Sequence, residues 1–285
     1  MRVLILGVTG MLGNAVHTYF SQDGGHEVWG AMRSASGKRY FAETAQANLV
    51  SGVDVLDLDA LTNLMLRVNP HIVINCVGLI KQLANANDPL TALPLNSMLP
   101  HRLSKLCALA GARLVHISTD CVFSGRKGNY SESDLSDAED LYGKSKYIGE
   151  LHEAPNAITL RTSIIGHELN SCNALIDWFL SQEAEVKGYA KAIFSGLPTI
   201  ELARIIKDYV LPNEALHGLY QVAAAPIDKL SLLRLVAEVY DKKITIYPDD
   251  VVRIDRSLNS SRFNQASGYV APEWPALIKL MKKYS

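Results

Sequence analysis

Two short stretches of the chain hold residues whose types and spacing can do chemistry. Tyr142-Gly143-Lys144-Ser145-Lys146 sets a phenol and an ammonium four residues apart, on one face of a helix. A free tyrosine titrates near ~10, too high for easy proton exchange at neutral pH, and a neighbouring ammonium favours its phenolate. Tyr142 could then give or take a proton at a substrate oxygen while the adjacent carbon is oxidised or reduced. Ser118-Thr119-Asp120 stands upstream, where a strand should end, and Thr119 could hold the same oxygen by hydrogen bond. By itself a Tyr-x-x-x-Lys pair is a weak signal, and a surface pair on an amphipathic helix is the bland alternative. Its weight comes from the Ser-Thr-Asp segment and from the second stretch.

That second stretch is Gly7-Val8-Thr9-Gly10-Met11-Leu12-Gly13, directly after an apolar run. Gly7 and Gly10 allow a tight turn and close approach of a pyrophosphate, and Gly13 lets the following helix lie near the strand. The free N–H groups of the helix start then favour phosphate. Gly7, Thr9, Gly10, Met11, Leu12 and Gly13 are the candidate dinucleotide contacts. At the end of the second strand, where an acid would bond a ribose 2′-hydroxyl, the chain reads Gly30-Ala31-Met32-Arg33. A guanidinium there suits a 2′-phosphate, so NADP(H) is favoured and NAD(H) is the alternative. Asp54 and Val55 are candidates for the adenine edge.

These residues need a scaffold. Apolar strands at Arg2–Leu6, Glu27–Ala31, Val53–Leu56, Ile72–Cys76, Arg113–Ile117 and Ala157–Leu160 alternate with helical patterns. The helices fall near 11–21, 60–68, 96–110 and 140–152. Continuous apolar strands separated by helices predict an α/β fold, a Rossmann-type doubly wound parallel sheet. After about residue 165 the rhythm loosens, with helices near 174–180, 199–210, 231–240 and 275–283 and a strand near 218–223. The expected layout is a dinucleotide-binding domain over residues 1–165. A smaller C-terminal substrate lobe over 166–285 follows, with segments returning to the first domain.

Composition sets limits. The chain has 285 residues, 48% apolar and 20% charged, which excludes a disordered or collagen-like chain. The 28 basic and 29 acidic residues leave a net charge of −1, so no basic field is available to hold nucleic acid. No apolar stretch is long enough for a membrane span. Met1–Gly7 lacks the form of a secretory signal, which points to the cytoplasm. Cys76, Cys107, Cys121 and Cys172 form no CxxC pair, and the eight histidines are scattered, so no metal site is expected.

Taken together, the Gly-x-x-Gly-x-x-Gly turn, Ser118-Thr119-Asp120, Val122-Phe123, Tyr142-x-x-x-Lys146 and Leu160-Arg161-Thr162 resemble an extended short-chain dehydrogenase/reductase. Within that superfamily they resemble the dTDP-4-dehydrorhamnose reductase branch. The resemblance implies NADPH-dependent reduction of a 4-keto-6-deoxy nucleotide sugar, with Thr119, Tyr142 and Lys146 as catalytic residues. It also implies that Lys146 binds nicotinamide ribose, that Asn75 and Cys76 lie near the cofactor, and that Asn96 supports the site.

The chain departs from the branch pattern where Cys121 replaces an aromatic residue and where Asn75 is followed by Cys76-Val77-Gly78. A further departure is Ile164-Ile165-Gly166. These positions bear on which sugar is used. Lys81, Gln82, Asp120, Cys121, Thr162 and Phe194–Thr199 are candidate substrate contacts. Two other readings stay open: a non-catalytic NADP-binding regulatory subunit and a nucleotide-sugar epimerase. A homodimer is left open.

Overall fold

The computed structural model describes residues 1–22, 24–79 and 87–285. Its strands are β1 (Arg2–Leu6), β2 (Glu27–Ala31), β3 (Leu49–Val50), β4 (Ile72–Asn75), β5 (Arg113–Thr119), β6 (Ala157–Thr162) and β7 (Ile164–Ile165). There follow β8 (Glu185–Tyr189), β9 (Ala192–Phe194), β10 (Leu197–Pro198), β11 (Gly218–Gln221), β12 (Ile227–Asp228), β13 (Thr245–Asp249) and β14 (Ile254–Asp255). The helices are α1 (Met11–Ser21), α2 (Leu58–Val68), α3 (Pro89–Ala92), α4 (Leu99–Leu109), α5 (Leu141–Ile148) and α6 (Leu175–Ser181). The last four are α7 (Thr199–Ile205), α8 (Lys229–Val239), α9 (Ser261–Ser267) and α10 (Trp274–Lys283).

A seven-stranded sheet in the order β11-β6-β5-β4-β1-β2-β3 forms the centre of the α/β fold. β1 pairs in parallel with β2 and with β4, β4 with β5, and β2 with β3. β4 and β6 are buried throughout, and Ile72–Ile74 reads as an unbroken apolar run for that reason. The switch in strand order beside β1 creates the crevice at which open sheets of this kind bind ligands.

The chain forms two compact units. Unit 1 is Met1–Ser118, Asp140–Leu160 and Glu214–Leu219, and unit 2 is Thr119–Glu139, Arg161–Asn213 and Tyr220–Ser285. Glu214–Leu219, from the C-terminal part of the chain, belongs with unit 1, and Thr119–Glu139 belongs with unit 2.

In unit 1, α2 shows how the helices are fixed. Asp57 caps its start by accepting from the N–H groups of Asp59 and Ala60, and Asn69 ends it in the left-handed region. Leu61, Leu64, Met65 and Val68 form its buried stripe and share one core with Leu4, Val73 and Leu103. Truncating one such leucine costs about 2–5 kcal/mol.

The expected strand at Val53–Leu56 is absent, and the third strand is β3, paired through Gly30↔Leu49 and Ala31↔Val50. Val53 and Val55 are buried. Gly52, however, turns the chain at φ 79°, and Asp54 accepts from Leu56 N–H, so the segment bends away from ladder pairing.

The expected helix at 140–152 also ends early, at Ile148. There the helix gives way to contacts distant in sequence. A Cβ at Gly149 would lie 2.0 Å from the Asn96 carbonyl oxygen, and Leu151 N–H donates to Thr159 Oγ1.

In unit 2, β12 and β14 flank β9, while β8 and β13 form a separate parallel pair. α8 packs on β8 and β13 and against α10. Its buried face is Leu230, Leu232, Leu233 and Val236.

Candidate functional site

The register of the central sheet places the glycine turn after β1. Leu6 lies opposite Ala31 and Asn75, and Asn75 lies opposite His116. The segments leaving the C-terminal ends of β1, β2 and β4 therefore start from one row, and β5 continues past it to Ser118 and Thr119. The three segments carry Gly7–Gly13, Arg33 and Cys76–Gly78.

The turn after β1 is built for close approach. Gly7 has φ 78°, and a Cβ there would come within 2.9 Å of Val77. A Cβ at Gly13 would meet the Gly7 carbonyl oxygen at 2.2 Å, so only glycine lets α1 start this near β1. Gly10 is the N-cap of α1 and supplies no side chain to its N–H groups. An uncapped helix start behind two glycines fits a phosphate. Thr9, Met11 and Leu12 complete this turn.

The segment after Arg33 packs on the turn, since a Cβ at Gly37 would touch the Thr9 side chain at 2.7 Å. Arg33 itself is exposed. Asp54 is exposed too, with one carboxylate oxygen committed to Leu56 N–H, while Val55 is buried in the core.

Asn75 is buried at the end of β4. Its Oδ1 accepts from Val77 N–H and its Nδ2 donates to His116 Nδ1. His116 must therefore carry its proton on Nε2 when neutral. Burial, with Lys146 and His101 nearby, holds its pKa well below the usual range, so it stays neutral. Burial also pushes the Cys76 thiol up to about 12, which makes it a poor nucleophile.

α5 carries the Tyr-x-x-x-Lys pair. Asp140 caps the helix by accepting from Gly143 N–H. Lys146 is buried, and its Nζ donates to the Ile117 carbonyl at 2.7 Å. Burial lowers its pKa to about 8, opposed by the nearby Glu150 carboxylate. Tyr142 lies one turn earlier and is partly exposed.

The helix is held in place by Asn96. Asn96 lies on a wide π-helical turn, Leu93–Met98, between α3 and α4. Its Oδ1 accepts from Leu79 N–H, and its Nδ2 donates to Ser145 Oγ. Ser97 Oγ donates to the Ser145 carbonyl. A Cβ at Gly78 would sit 3.5 Å from Asn96 Oδ1 and 3.8 Å from Lys146 Nζ, so the loop after β4 lies beside both. Glu150, which the sequence did not flag, accepts from Ser118 Oγ at 2.6 Å.

Thr119 belongs to unit 2. Its Oγ1 accepts from Cys121 N–H and donates to Asp120 Oδ1. Asp120 is buried, and burial raises its pKa against the opposing pull of Arg256 and Lys229. Neither cation was recognisable in the sequence, since both follow short strands with no motif around them. Thr162 is buried, its hydroxyl donating to the Ser163 carbonyl. Of the Phe194–Thr199 candidates, Phe194 and Ser195 are buried, and Thr199 opens α7. Lys81 and Gln82 lie outside the described residues. Among the described residues no three His, Cys, Asp or Glu side chains converge on a metal position. None of the described helices is long and apolar enough to cross a membrane.

A Rossmann-type sheet with a glycine turn after β1 and a Tyr-x-x-x-Lys helix defines an extended short-chain dehydrogenase/reductase-like protein. More narrowly, the chain belongs to the RmlD substrate binding domain family, whose model matches residues 1–220.

The chain is 34% identical over 171 residues to methionine adenosyltransferase 2 subunit beta of Pongo abelii, covering 59% of this chain and 48% of that protein. It is 30% identical over 167 residues to the dTDP-4-dehydrorhamnose reductase of Mycolicibacterium smegmatis, covering 57% and 45%. The chain thus spans about half the length of the curated relatives it matches.

Among solved structures, it superposes on a dTDP-4-dehydrorhamnose reductase from Bacillus anthracis in complex with NADP. The TM-score is 0.79 at 21% identity, covering 100% of this chain and 99% of that one. It also superposes on WbmG of Bordetella bronchiseptica in complex with NAD and UDP, with TM-score 0.78 at 18% identity, covering 100% and 94%. These two likenesses establish the fold.

Proposed function

We propose that the chain is a reductase of a 4-keto-6-deoxy nucleotide sugar that uses NADPH in preference to NADH. The observation that carries this reading is Lys146, a buried ammonium on the Ile117 carbonyl, one helical turn from Tyr142 and fixed by the Asn96–Ser145 bonds. A regulator would have no use for a phenol and a buried ammonium held together.

Gly7, Thr9, Gly10, Met11, Leu12 and Gly13 hold the dinucleotide phosphates, and Arg33 holds the 2′-phosphate. Asp54 and Val55 lie at the adenine edge. Asn75 and Cys76 border the nicotinamide, and Lys146 binds its ribose. The bound cofactor supplies hydride to the sugar C4. Tyr142 gives its proton to the ketone oxygen, and Lys146 stabilises the phenolate left behind. Thr119 holds the same oxygen. Asp120, Cys121 and Thr162 are proposed to face the sugar.

A second reading is favoured by the relatives described as subunit beta of methionine adenosyltransferase 2. On that reading the chain binds a nicotinamide dinucleotide and regulates a partner. The test is cofactor consumption by the purified protein. NADPH and NADH are offered in parallel with dTDP- and UDP-linked 4-keto-6-deoxy sugars. Consumption with one sugar is the expected result. Thermal stabilisation by NADPH without consumption across the panel supports the regulatory reading.

A further inference from the structure

Unit 2 holds a second set of ionisable groups that ketone reduction does not use: Asp120, Cys121, Lys229 and Arg256. The small sheet brings the two cations in. Ile193 on β9 lies opposite Asp228 on β12 and Asp255 on β14, and Lys229 and Arg256 are the next residues. Arg256 Nε donates to the Phe123 carbonyl, and its Nη1 reaches Cys121 Sγ at 3.5 Å. Lys229 Nζ lies 3.8 Å from the centre of the Phe194 ring. The Asp120 carboxylate accepts from Thr119 Oγ1 and from the Cys121 side chain.

Lys229 is expensively placed. It is the first residue of α8, where the helix dipole disfavours a cation. Its burial lowers its pKa to about 8, while burial raises that of Asp120. Both groups thus shift toward titration nearer neutral pH, around a thiol that remains partly exposed. A thiol with a carboxylate to take its proton and a guanidinium beside its sulfur is an acid–base arrangement.

We propose that Cys121, with Asp120 as its proton partner and Arg256 beside its sulfur, exchanges a hydrogen on the carbon next to the substrate ketone. This rests on the reading of Thr119 as the residue that holds the ketone oxygen. Thr119 Oγ1 accepts from Cys121 N–H at 3.1 Å, so a ketone held by Thr119 lies beside the residue that carries the thiol.

When Thr119 turns its proton to the ketone, Asp120 is left to take that of Cys121. The thiolate removes the α-hydrogen as a proton. The C–H electron pair becomes the carbon–carbon double bond of an enolate whose oxygen Thr119 holds. Return of a proton from the Cys121 thiol restores the ketone. No oxidant or reductant is consumed, and the activity is independent of hydride transfer.

The test incubates the full chain in heavy water with the same 4-keto sugars and no nicotinamide, and follows deuterium uptake by mass. The expected result is protein-dependent exchange that falls about 100-fold in Cys121→Ala. Ketone reduction by that variant should fall at least about tenfold less than exchange. Unchanged exchange in Cys121→Ala overturns the proposal, as does a ketone that is reduced but never exchanged.

A protein that reduces none of the ketones speaks against the reductase reading instead, and thiol labelling then decides. Iodoacetamide labelling of Cys121 at pH 7, mapped by peptide mass, should slow about tenfold in Arg256→Gln, which removes the cation beside the sulfur, and quicken in Asp120→Asn, which removes the anion. Labelling of the exposed Cys172 should not change. Cys121 labelling that ignores both substitutions overturns the acid–base arrangement.

Discussion

Each unit buries a lysine, and in both cases burial lowers the pKa to about 8. The two residues differ in how they are held. Lys146 lies in the last turn of α5, where the helix dipole favours a cation, and hydrogen-bonds the Ile117 carbonyl. Lys229 lies in the first turn of α8, against the dipole, over the Phe194 ring and within reach of the Asp120 charge. Lys146 belongs to a motif confined to five consecutive residues. Lys229 works only through partners on other elements. A buried charge can therefore be announced by its neighbours in sequence or be invisible until the chain folds.

The largest expected effect tests whether unit 1 carries the redox proton transfer. Tyr142→Phe should lower turnover about 100-fold or more while nicotinamide affinity changes by less than about threefold. Steady-state kinetics beside calorimetric binding check this, and unchanged turnover removes the proton-donor role from α5.

Next is the glycine turn after β1. Gly13→Ala should destabilise the protein by about 3 kcal/mol, because its Cβ would fall 2.2 Å from the Gly7 carbonyl oxygen. Gly10→Ala, with 3.3 Å to the same oxygen, should cost well under half as much in urea unfolding.

The comparison of the lysines has a pH signature. Lys146 titrates near about 8 when folded, against 10.5 when unfolded. Between these values the unfolded chain binds more protons, so stability contributed at this residue rises with pH. Below about 8 the buried charge costs about 3 kcal/mol, and above 10.5 that cost is gone. The stability difference between wild type and Lys146→Met should therefore move in favour of the wild type by about that amount between pH 8 and 10.5. Lys229→Met should show the same direction. A flat difference at either position would mean that its lysine is not held in the cationic form against its burial.

The smallest effect concerns cofactor choice. Arg33→Ala should weaken NADPH about tenfold and NADH hardly at all. Equal losses would show that the exposed Arg33 does not read the 2′-phosphate.

Much of unit 1 was legible in the sequence. The glycine turn, β1, α2 and the Tyr-x-x-x-Lys helix each follow from residues within a few positions of one another. Val53–Leu56 misled because its alternating valines do point into the core, yet Gly52 and Asp54 turn the backbone before a ladder can form. The helix end at Ile148 was missed because the contacts that replace it come from Asn96 and Thr159. Unit 2 was read least well. Its strands β7, β10, β12 and β14 are two residues long and leave no periodicity to detect.

The sequence by itself determined the glycine turn after β1 and the Tyr-x-x-x-Lys spacing on α5, since local backbone geometry alone sets both. Only the tertiary structure decided which distant side chains meet. Asn96 meets Ser145 across 49 residues, Ser118 meets Glu150 across 32, and Cys121 meets Arg256 across 135. Such pairs are set by strand order and register, which depend on burying the whole sheet at once.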